Sequence, residues 1–137
     1  MAKSWFTCEL QEVVDARGRL LIGEIEKHVP FLVRRFFVAT DVPAGVARGG
    51  HAHRTIEQFA VCLRGCVTMR LDDGAYRADF IQLSSPNVGI YIPAMVWDEQ
   101  QRFSTDALLL VLASKEYAEA DYVRNYDEFR RLIDSAA

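Results

Sequence analysis

The chain has 137 residues, half of which are hydrophobic, and a formal net charge of −3. A chain of this length buries roughly two-thirds of its unfolded surface, so we expect a single domain over residues 1–137 that needs neither a disulfide nor a metal ion to stay folded. The acidic balance and the scattered lysines and arginines exclude the basic surface by which proteins bind duplex nucleic acid or an anionic membrane.

The first part of the chain predicts a hairpin followed by a long strand. The predicted strands are Phe6–Val14, Arg19–Ile25 and Phe31–Thr40. Asp15 and Gly18 supply turn residues between the first two, and the third is dense in β-branched and aromatic side chains. Because side chains alternate along a strand, Arg34 and Arg35 must lie on opposite faces, and one of them must face inward or be covered by a partner.

Short strands continue through the rest of the chain until the tail. They are predicted over Ile56–Arg64, Cys66–Leu71, Tyr76–Leu83, Gly89–Ile92 and Ala107–Ala113. Asp73-Gly74 predicts a tight hairpin turn, and the last strand is apolar on both faces, as a central strand would be. The tail is helical, with Asn125 as its N-cap and Glu128 three residues on. The sequence therefore predicts an all-β sandwich or barrel with a short C-terminal helix.

The cysteines and the apolar segments bear on the cellular compartment. Cys8, Cys62 and Cys66 are odd in number, and the spacing of the last two is not that of a usual zinc knuckle, so we interpret them as small buried hydrophobic residues. No signal-peptide pattern is visible, and no apolar run approaches the ~20 residues that span a membrane. We therefore expect a cytoplasmic protein.

Two histidines carry the clearest chemical signal. His51 and His53 are separated by one residue in the segment Arg48–His53, and in an extended chain both rings project from the same face. A single histidine on an apolar face is usually part of the core. A pair that directly follows Gly49-Gly50 is more typical of a functional site.

Several segments resemble one enzyme family. His51-x-His53-x3-Glu57, Gly65 and the later block from Gly89 to Glu99 are similar to the two signature blocks of the cupin superfamily of small jelly-roll barrels. The closer resemblance is to the sugar 3,4-ketoisomerases that act on dTDP-4-keto-6-deoxyglucose. The segments that carry it are Asp15-x-Arg17-Gly18, Arg48–His53, Glu57-Gln58, Leu71–Gly74, Gly89–Pro93, Val111–Ser114 and Asp121–Phe129.

The resemblance implies a cupin-type jelly-roll barrel and an isomerase that moves the ketone of dTDP-4-keto-6-deoxyglucose from C4 to C3. Such a reaction lies on the way to the 3-amino-3,6-dideoxysugars of surface polysaccharides, such as lipopolysaccharide O-antigen, or of antibiotics. The resemblance also implies an enzyme without a metal or other cofactor, and a homodimer that exchanges an N-terminal strand between its subunits. The catalytic histidine pair of the family falls on His51 and His53.

The chemistry of this reaction suits imidazole. A base must take the proton from the carbon next to the carbonyl, and a proton must return one carbon along after an enediol intermediate. One imidazole with a pKa of about 6.5 can do both near neutral pH, while a neighbouring donor stabilises the enediolate oxygen. We assign His51 as the base and His53 as its partner, which orients the substrate or shuttles a proton between its oxygens.

Three arginines are candidates for binding the nucleotide diphosphate, which arginine grips with two parallel hydrogen bonds. Arg17 lies in the family-like turn, Arg35 lies on a strand that must bury one face, and Arg48 precedes the histidines. Arg124 either reaches the ligand or clamps the tail helix, and the clamp is the favoured interpretation.

Further substrate-binding candidates follow in the two cupin-like blocks. Glu57 and Gln58 come after the histidines, and strand alternation favours Glu57 on the histidine face unless a bulge intervenes. Tyr91 and Trp97 can stack on a base or a sugar. Asp98 occupies a position in the second block where many relatives carry histidine.

Two alternatives from other classes stay open. His51, His53 and Glu57 occupy the positions of cupin metal ligands, and Asp98 lies where the last histidine of that set would be. Two imidazoles and two carboxylates also suit iron, manganese or zinc, so a metal-dependent cupin enzyme is the second hypothesis. The third is a non-catalytic module that binds a sugar nucleotide.

The third hypothesis comes from two departures from the family pattern. Close relatives often carry tyrosine in the strand before the histidines, where this chain has Phe36, Phe37 and Val38, and many have Trp-His-Glu where this chain has Trp97-Asp98-Glu99. Both departures bear on proton transfer at C4. The sequence therefore does not specify whether the product has the galacto or the gluco configuration.

Overall fold

The computed structural model describes residues 4–136, so the first three residues and Ala137 of the predicted domain lie outside it. Its strands are β1 (Phe6–Glu9), β2 (Gln11–Asp15), β3 (Gly18–Ile22), β4 (Arg35–Thr40), β5 (Arg48–His53), β6 (Gln58–Arg64), β7 (Val67–Asp72), β8 (Ala78–Leu83), β9 (Val88–Ile92), β10 (Trp97–Gln101), β11 (Leu108–Ala113) and β12 (Tyr122–Val123). A 3-10 turn at Glu119–Asp121 precedes β12, and the helix α1 spans Tyr126–Ala136.

Two five-stranded antiparallel sheets enclose one core. The first sheet has the strand order β1-β9-β6-β11-β4, and the second has the order β12-β5-β10-β7-β8. Leu109 and Val111 of β11 lie in the same apolar cluster as Val67 and Met69 of β7, and each is at most 2% exposed. This arrangement confirms the predicted all-β fold, and β11 is a central strand, as its apolar sequence indicated.

Alternation along β4 separates the core from the outer surface of the first sheet. Phe37 and Ala39 pack into the core cluster, whereas Phe36 is 68% exposed. Arg35 shares the inner face with Phe37, and Arg34 is exposed. The prediction that one of these two arginines faces inward is therefore confirmed.

The helix covers the outer face of the second sheet. The Oδ1 atom of Asn125 accepts a hydrogen bond from the Glu128 backbone N–H at 2.9 Å, which confirms the predicted N-cap. Phe129 is fully buried in a cluster with Ala52 and Trp97. In the part of the chain that the structure describes, no helix has the length and apolar character to span a membrane.

The first predicted strand is wrong in one respect, because Phe6–Val14 is interrupted at Leu10. β1 pairs with β9 in the first sheet, whereas β2 pairs with β3 in a separate two-stranded hairpin. Leu10 turns into an apolar cluster, and its N–H donates to the Asn87 carbonyl at 2.7 Å. The predicted turn is confirmed, since Asp15 and Gly18 are the last pair of that hairpin.

Two further differences from the sequence prediction are the start of one strand and the absence of another. The strand predicted from Phe31 joins the sheet only at Arg35, because Phe31 packs into the apolar cluster outside the first sheet. β10 was not predicted at all. Its inward side chains, Asp98 and Gln100, are polar, so no hydrophobic alternation marks it.

Candidate active site

The close approach of β5 to β10 builds the site. Gly49 and Gly50 of β5 have φ angles of +78° and +77°, which residues with a side chain rarely adopt. A Cβ atom at Gly49 would lie 3.0 Å from the backbone oxygen of Asp98. Gly49 therefore lets β5 lie directly against β10, where Asp98 pairs with His51.

Both imidazoles project into the barrel. Ala52, between them, is fully buried in the cluster beneath α1, so the two histidine side chains lie on the opposite face of β5. Their ring centroids are 4.9 Å apart, and the Tyr122 ring lies 5.0 Å from His51 and 4.4 Å from His53. The His51 side chain is 13% exposed and lines a cavity, whereas that of His53 is 3% exposed and lies behind it.

Burial keeps both imidazoles neutral. It lowers the pKa of His51 to about 4, and the neighbouring His53 and Arg124 act in the same direction. Burial also lowers the pKa of His53 to about 4, against the opposing effect of the Asp121 carboxylate. Because a neutral imidazole keeps a free lone pair, His51 can accept a proton at neutral pH.

A buried carboxyl group lies next to His51. Asp98 is 1% exposed, and its Oδ2 atom is 4.0 Å from His51 Nε2. Burial raises the pKa of Asp98 to about 7, while Gln100 donates a hydrogen bond to its Oδ1 atom at 3.4 Å. The contact therefore joins a neutral imidazole to a carboxyl group that titrates near neutral pH, and it is not a permanent ion pair.

Three arginines line the cavity beside His51, which has a volume of about 440 Å³. They are Arg35, Arg48 and Arg124. The Nε and Nη2 atoms of Arg35 are buried and have no hydrogen-bond partner among the residues that the structure describes. A buried guanidinium without an anion is costly, so the cavity is suited to a ligand that brings negative charge.

Arg124 pairs with the 3-10 turn and does not form the predicted clamp on the tail helix. Its guanidinium donates to both carboxylate oxygens of Glu119, at 2.9 and 3.0 Å, and lies 4.3 Å from the centroid of the Tyr122 ring. These contacts hold Arg124 at the cavity wall, where it can reach a ligand.

Several predicted binding residues lie outside this cavity. Arg17 is in the β2–β3 hairpin, where its side chain is 89% exposed and its Nη2 atom donates to Asp15 Oδ2 at 2.7 Å. Trp97 points to the other face of β10, with its ring centroid 5.2 Å from that of Tyr126 and 5.8 Å from that of Phe129. It holds the helix against the sheet.

The remaining predicted binding residues lie on different faces of the first sheet: Tyr91 and its partner Glu57 on the outer face, and Gln58 on the inner face. The Tyr91 hydroxyl donates to the Glu57 carboxylate, and burial together with this contact raises the pKa of Tyr91. Tyr91 belongs to the outer apolar cluster, whereas Gln58 is buried two residues before Ala60 of the inner core. The alternation argument for Glu57 does not apply, because β5 ends at His53 and β6 begins only at Gln58.

The four side chains that the metal hypothesis assigns as ligands, those of His51, His53, Glu57 and Asp98, do not surround one common position. The Glu57 carboxylate accepts a hydrogen bond from Tyr91, and Asp98 approaches His51 but not His53. Among residues 4–136, no group of three or more His, Cys, Asp or Glu side chains is arranged to hold a metal ion. The metal-dependent alternative is therefore not favoured.

Sequence reasoning missed three residues of the site: Gln100, Asp121 and Tyr122. Asp121 and Tyr122 belong to the segment Asp121–Phe129, which resembles the ketoisomerases, and this resemblance could have marked them as site residues. Their contact with the histidines arises because β12 pairs with β5, so that Tyr122 lies opposite His53.

These two sheets, with a neutral imidazole facing an arginine-lined cavity between them, define a small cupin-type jelly-roll barrel with a candidate active site. The chain belongs to the FdtA family, described as WxcM-like, C-terminal, whose match covers residues 4–134. The family is the one that the sequence motifs indicated.

Its relatives are sugar ketoisomerases. The chain is 42% identical over 123 residues to the TDP-4-oxo-6-deoxy-alpha-D-glucose-3,4-oxoisomerase of Aneurinibacillus thermoaerophilus, covering 90% of this chain and 88% of that protein. It matches QdtA, a sugar 3,4-ketoisomerase from Thermoanaerobacterium thermosaccharolyticum in complex with TDP, with a TM-score of 0.93 at 34% identity over 99% and 98% of the two chains. It matches a 3,4-ketoisomerase from Helicobacter canadensis with a TM-score of 0.91 at 36% identity over 95% and 97%. The chain is therefore a sugar 3,4-ketoisomerase.

The lowered histidine pKa values predict that the protein becomes less stable in mild acid. An unfolded histidine binds its proton near pH 6.5, whereas the buried imidazoles bind theirs only near pH 4. Between these values each of the two histidines binds more protons in the unfolded state, so their contribution to stability is fully present above pH 6.5 and is lost as the pH falls towards 4. Asp98 acts in the opposite direction, because burial raises its pKa to about 7, and it offsets the contribution of one of the two histidines over this interval. Urea midpoints measured between pH 7 and about 4.5 should decrease accordingly.

The His51→Asn variant is the control for this prediction. It removes one of the two buried imidazoles, so its urea midpoint should depend less steeply on pH over the same interval. An equal slope in the variant would contradict the assignment of the effect to His51.

Proposed function

We propose that this protein converts dTDP-4-keto-6-deoxyglucose into its 3-keto isomer with His51 as the base. The observation that carries the proposal is that His51 is a neutral imidazole at the wall of a cavity lined by three arginines. The family supplies the reaction class, and the name of the Aneurinibacillus relative supplies the substrate.

Each proton in the proposed reaction has a place to go. His51 takes the proton from C3, and the C3–C4 double bond forms as the electrons of the C4 carbonyl move onto its oxygen. The neighbouring C3 hydroxyl passes its proton to the C4 oxygen, the C3 oxygen becomes the ketone, and His51 returns its proton to C4. One imidazole thus serves as base and then as acid, and Gln100 and Tyr122 at the cavity wall are available to hydrogen-bond the two oxygens.

His53 has a supporting role in this proposal. Its side chain is only 3% exposed, so contact with the sugar would require the His51 ring to move aside. We assign it to hold the His51 ring. Asp98, whose Oδ2 atom is 4.0 Å from His51 Nε2, is the nearest carboxyl group that the structure records beside the proposed base.

The arginines account for binding of the nucleotide diphosphate. Arg35 offers two buried N–H groups that have no hydrogen-bond partner in the described part of the chain, and Arg48 lines the same cavity as His51. The phosphate oxygens would satisfy these donors with charge-assisted hydrogen bonds.

We also propose the homodimer with an exchanged N-terminal strand. β1 lies at an edge of the first sheet, and the β2–β3 hairpin pairs with no other strand among the described residues. Several apolar side chains are exposed on the hairpin and the outer face of that sheet: Val14 at 63%, Leu20 at 59% and Phe36 at 68%. A second copy of the chain would cover this surface, and Arg17 would then reach a cavity across the interface.

Replacement of the base should stop the reaction without abolishing binding. His51→Asn should lower kcat by about 10²- to 10⁴-fold because it removes the acid–base group, while the Kd for dTDP stays nearly unchanged. NMR can follow the shift of the carbonyl carbon in the sugar. His28→Asn, at the one histidine outside the site, is the control and should retain activity. Unchanged turnover in His51→Asn would reject the role of His51, and an inactive wild type would favour the non-catalytic binding module.

Two adjacent arginines make a matched pair for the test of diphosphate binding. Arg35→Met should raise the Kd for dTDP by about 10- to 100-fold, since each hydrogen bond to a charged group is worth about 1.5–3 kcal/mol. Arg34→Met removes the same charge from the outer face and should leave the Kd within about twofold. Calorimetric titration distinguishes the two. Equal losses in both variants would mean that only net charge matters.

Mixing two inactive variants tests the exchanged dimer. Arg17→Ala and His51→Asn should each impair the enzyme alone. If Arg17 acts across the interface, a mixed dimer has one site with both defects and one intact site, so random mixing should restore about a quarter of the wild-type activity. Activity that does not rise on co-refolding, or a monomeric mass in sedimentation, would contradict the exchange.

A further inference from the structure

The buried imidazole of His53 lacks a conventional hydrogen-bond partner. Both of its ring nitrogens are buried, and neither makes a hydrogen bond to the residues that the structure describes. A neutral imidazole carries one N–H and one lone pair, and burying them without partners is costly. The nearest charged group is the carboxylate of Asp121, whose Oδ2 atom is 3.5 Å from His53 Nδ1.

Asp121 is held in place by three donors from the loop after β5. Its Oδ1 atom accepts hydrogen bonds from the Thr55 hydroxyl at 2.6 Å and the Thr55 N–H at 3.0 Å, and its Oδ2 atom accepts one from the Ile56 N–H at 3.1 Å. Burial opposes ionisation, but these hydrogen bonds outweigh it and hold the pKa of Asp121 below its usual value. The group facing His53 is therefore a carboxylate at neutral pH.

Backbone hydrogen bonds also hold Asp121 next to His53. The Asp121 carbonyl accepts a hydrogen bond from the Arg54 N–H at 2.8 Å, and Tyr122 pairs with His53 across the β5–β12 ladder. Asp121 is thus tied to both sides of His53 and cannot move away from it without breaking the ladder.

We infer that Asp121 fixes His53 as the neutral tautomer with its proton on Nδ1, and that Asp121 is a positioning residue of this enzyme. In that tautomer the N–H faces the carboxylate. In the tautomer protonated on Nε2, the lone pair of Nδ1 would face the negatively charged carboxylate of Asp121 in a buried position, which is unfavourable. The tautomer stands on the geometry alone, and its effect on turnover rests on the proposed function.

The consequence for the site is a fixed orientation of the ring behind the base. With its proton on Nδ1, His53 keeps its lone pair on Nε2. Its ring lies against His51, at an interplanar angle of 72°, and against Tyr122, at 61°. A ring that cannot flip or exchange tautomers holds the His51 ring in one position, in the way that a buried aspartate orients the histidine of a serine protease triad.

The chain offers a direct measurement of this tautomer, because it has three histidines. Long-range proton–nitrogen NMR spectra of the full chain labelled with ¹⁵N-histidine distinguish a protonated ring nitrogen from one with a lone pair. His28 is the internal reference, since its Nδ1 atom accepts a hydrogen bond from the Glu24 N–H at 2.9 Å and its proton must be on Nε2. The spectrum of His53 should show the opposite pattern.

Two variants separate the charge of Asp121 from its structural hydrogen bonds. In Asp121→Asn the side-chain amide can donate to Nδ1, so the His53 tautomer should reverse and kcat should fall at least about tenfold with KM within about twofold. Thr55→Ala removes the 2.6 Å hydroxyl contact but keeps the carboxylate, so the tautomer should persist and kcat should stay within about twofold.

The outcomes distinguish this inference from the proposed function. A proton on Nε2 of His53 in the wild type would overturn the inference whether or not either variant folds. An equal loss of kcat in both variants, with the tautomer unchanged, would overturn it too. A wild type with the expected tautomer but no isomerase activity would reject the proposed function and leave the link between Asp121 and His53 standing.

Discussion

The close approach of β5 to β10 is the constraint on which the rest of the site depends. Gly49 permits it, because a side chain there would meet the backbone of Asp98. The approach pairs Asp98 with His51, and the alternation of β5 then places Ala52 beneath the helix and both imidazoles in the barrel. The same contact thus links the packing of the outer helix to the position of His51.

The site has buried polar groups that the fold does not satisfy. Two guanidinium nitrogens of Arg35 have no hydrogen-bond partner among residues 4–136, and both imidazoles are largely buried and neutral. Such groups reduce the stability of the protein, which the apolar core between the sheets must offset. The benefit is preorganisation, because donors and a lone pair already point to where the ligand and its reacting protons would be.

Local sequence patterns predicted most of the strands, the β2–β3 hairpin and the N-cap of α1, since each depends on residues close together in the chain. They failed at β10, because its inward residues, Asp98 and Gln100, are polar and face the site instead of the core. They also failed for Glu57, because alternation cannot be carried across the break between β5 and β6. Strand alternation predicted that either Arg34 or Arg35 faces inward, and only the structure showed that it is Arg35.

The sequence by itself determined the family, the all-β fold and the shared face of His51 and His53, because motif order and side-chain alternation are local properties. Only the tertiary structure decided that His51 reaches the cavity while His53 lies behind it, and that Asp121 is the carboxylate beside His53. These contacts depend on which distant strands pair and in what register. Periodicity describes which way a side chain faces, whereas its neighbours are set by the packing of the whole barrel.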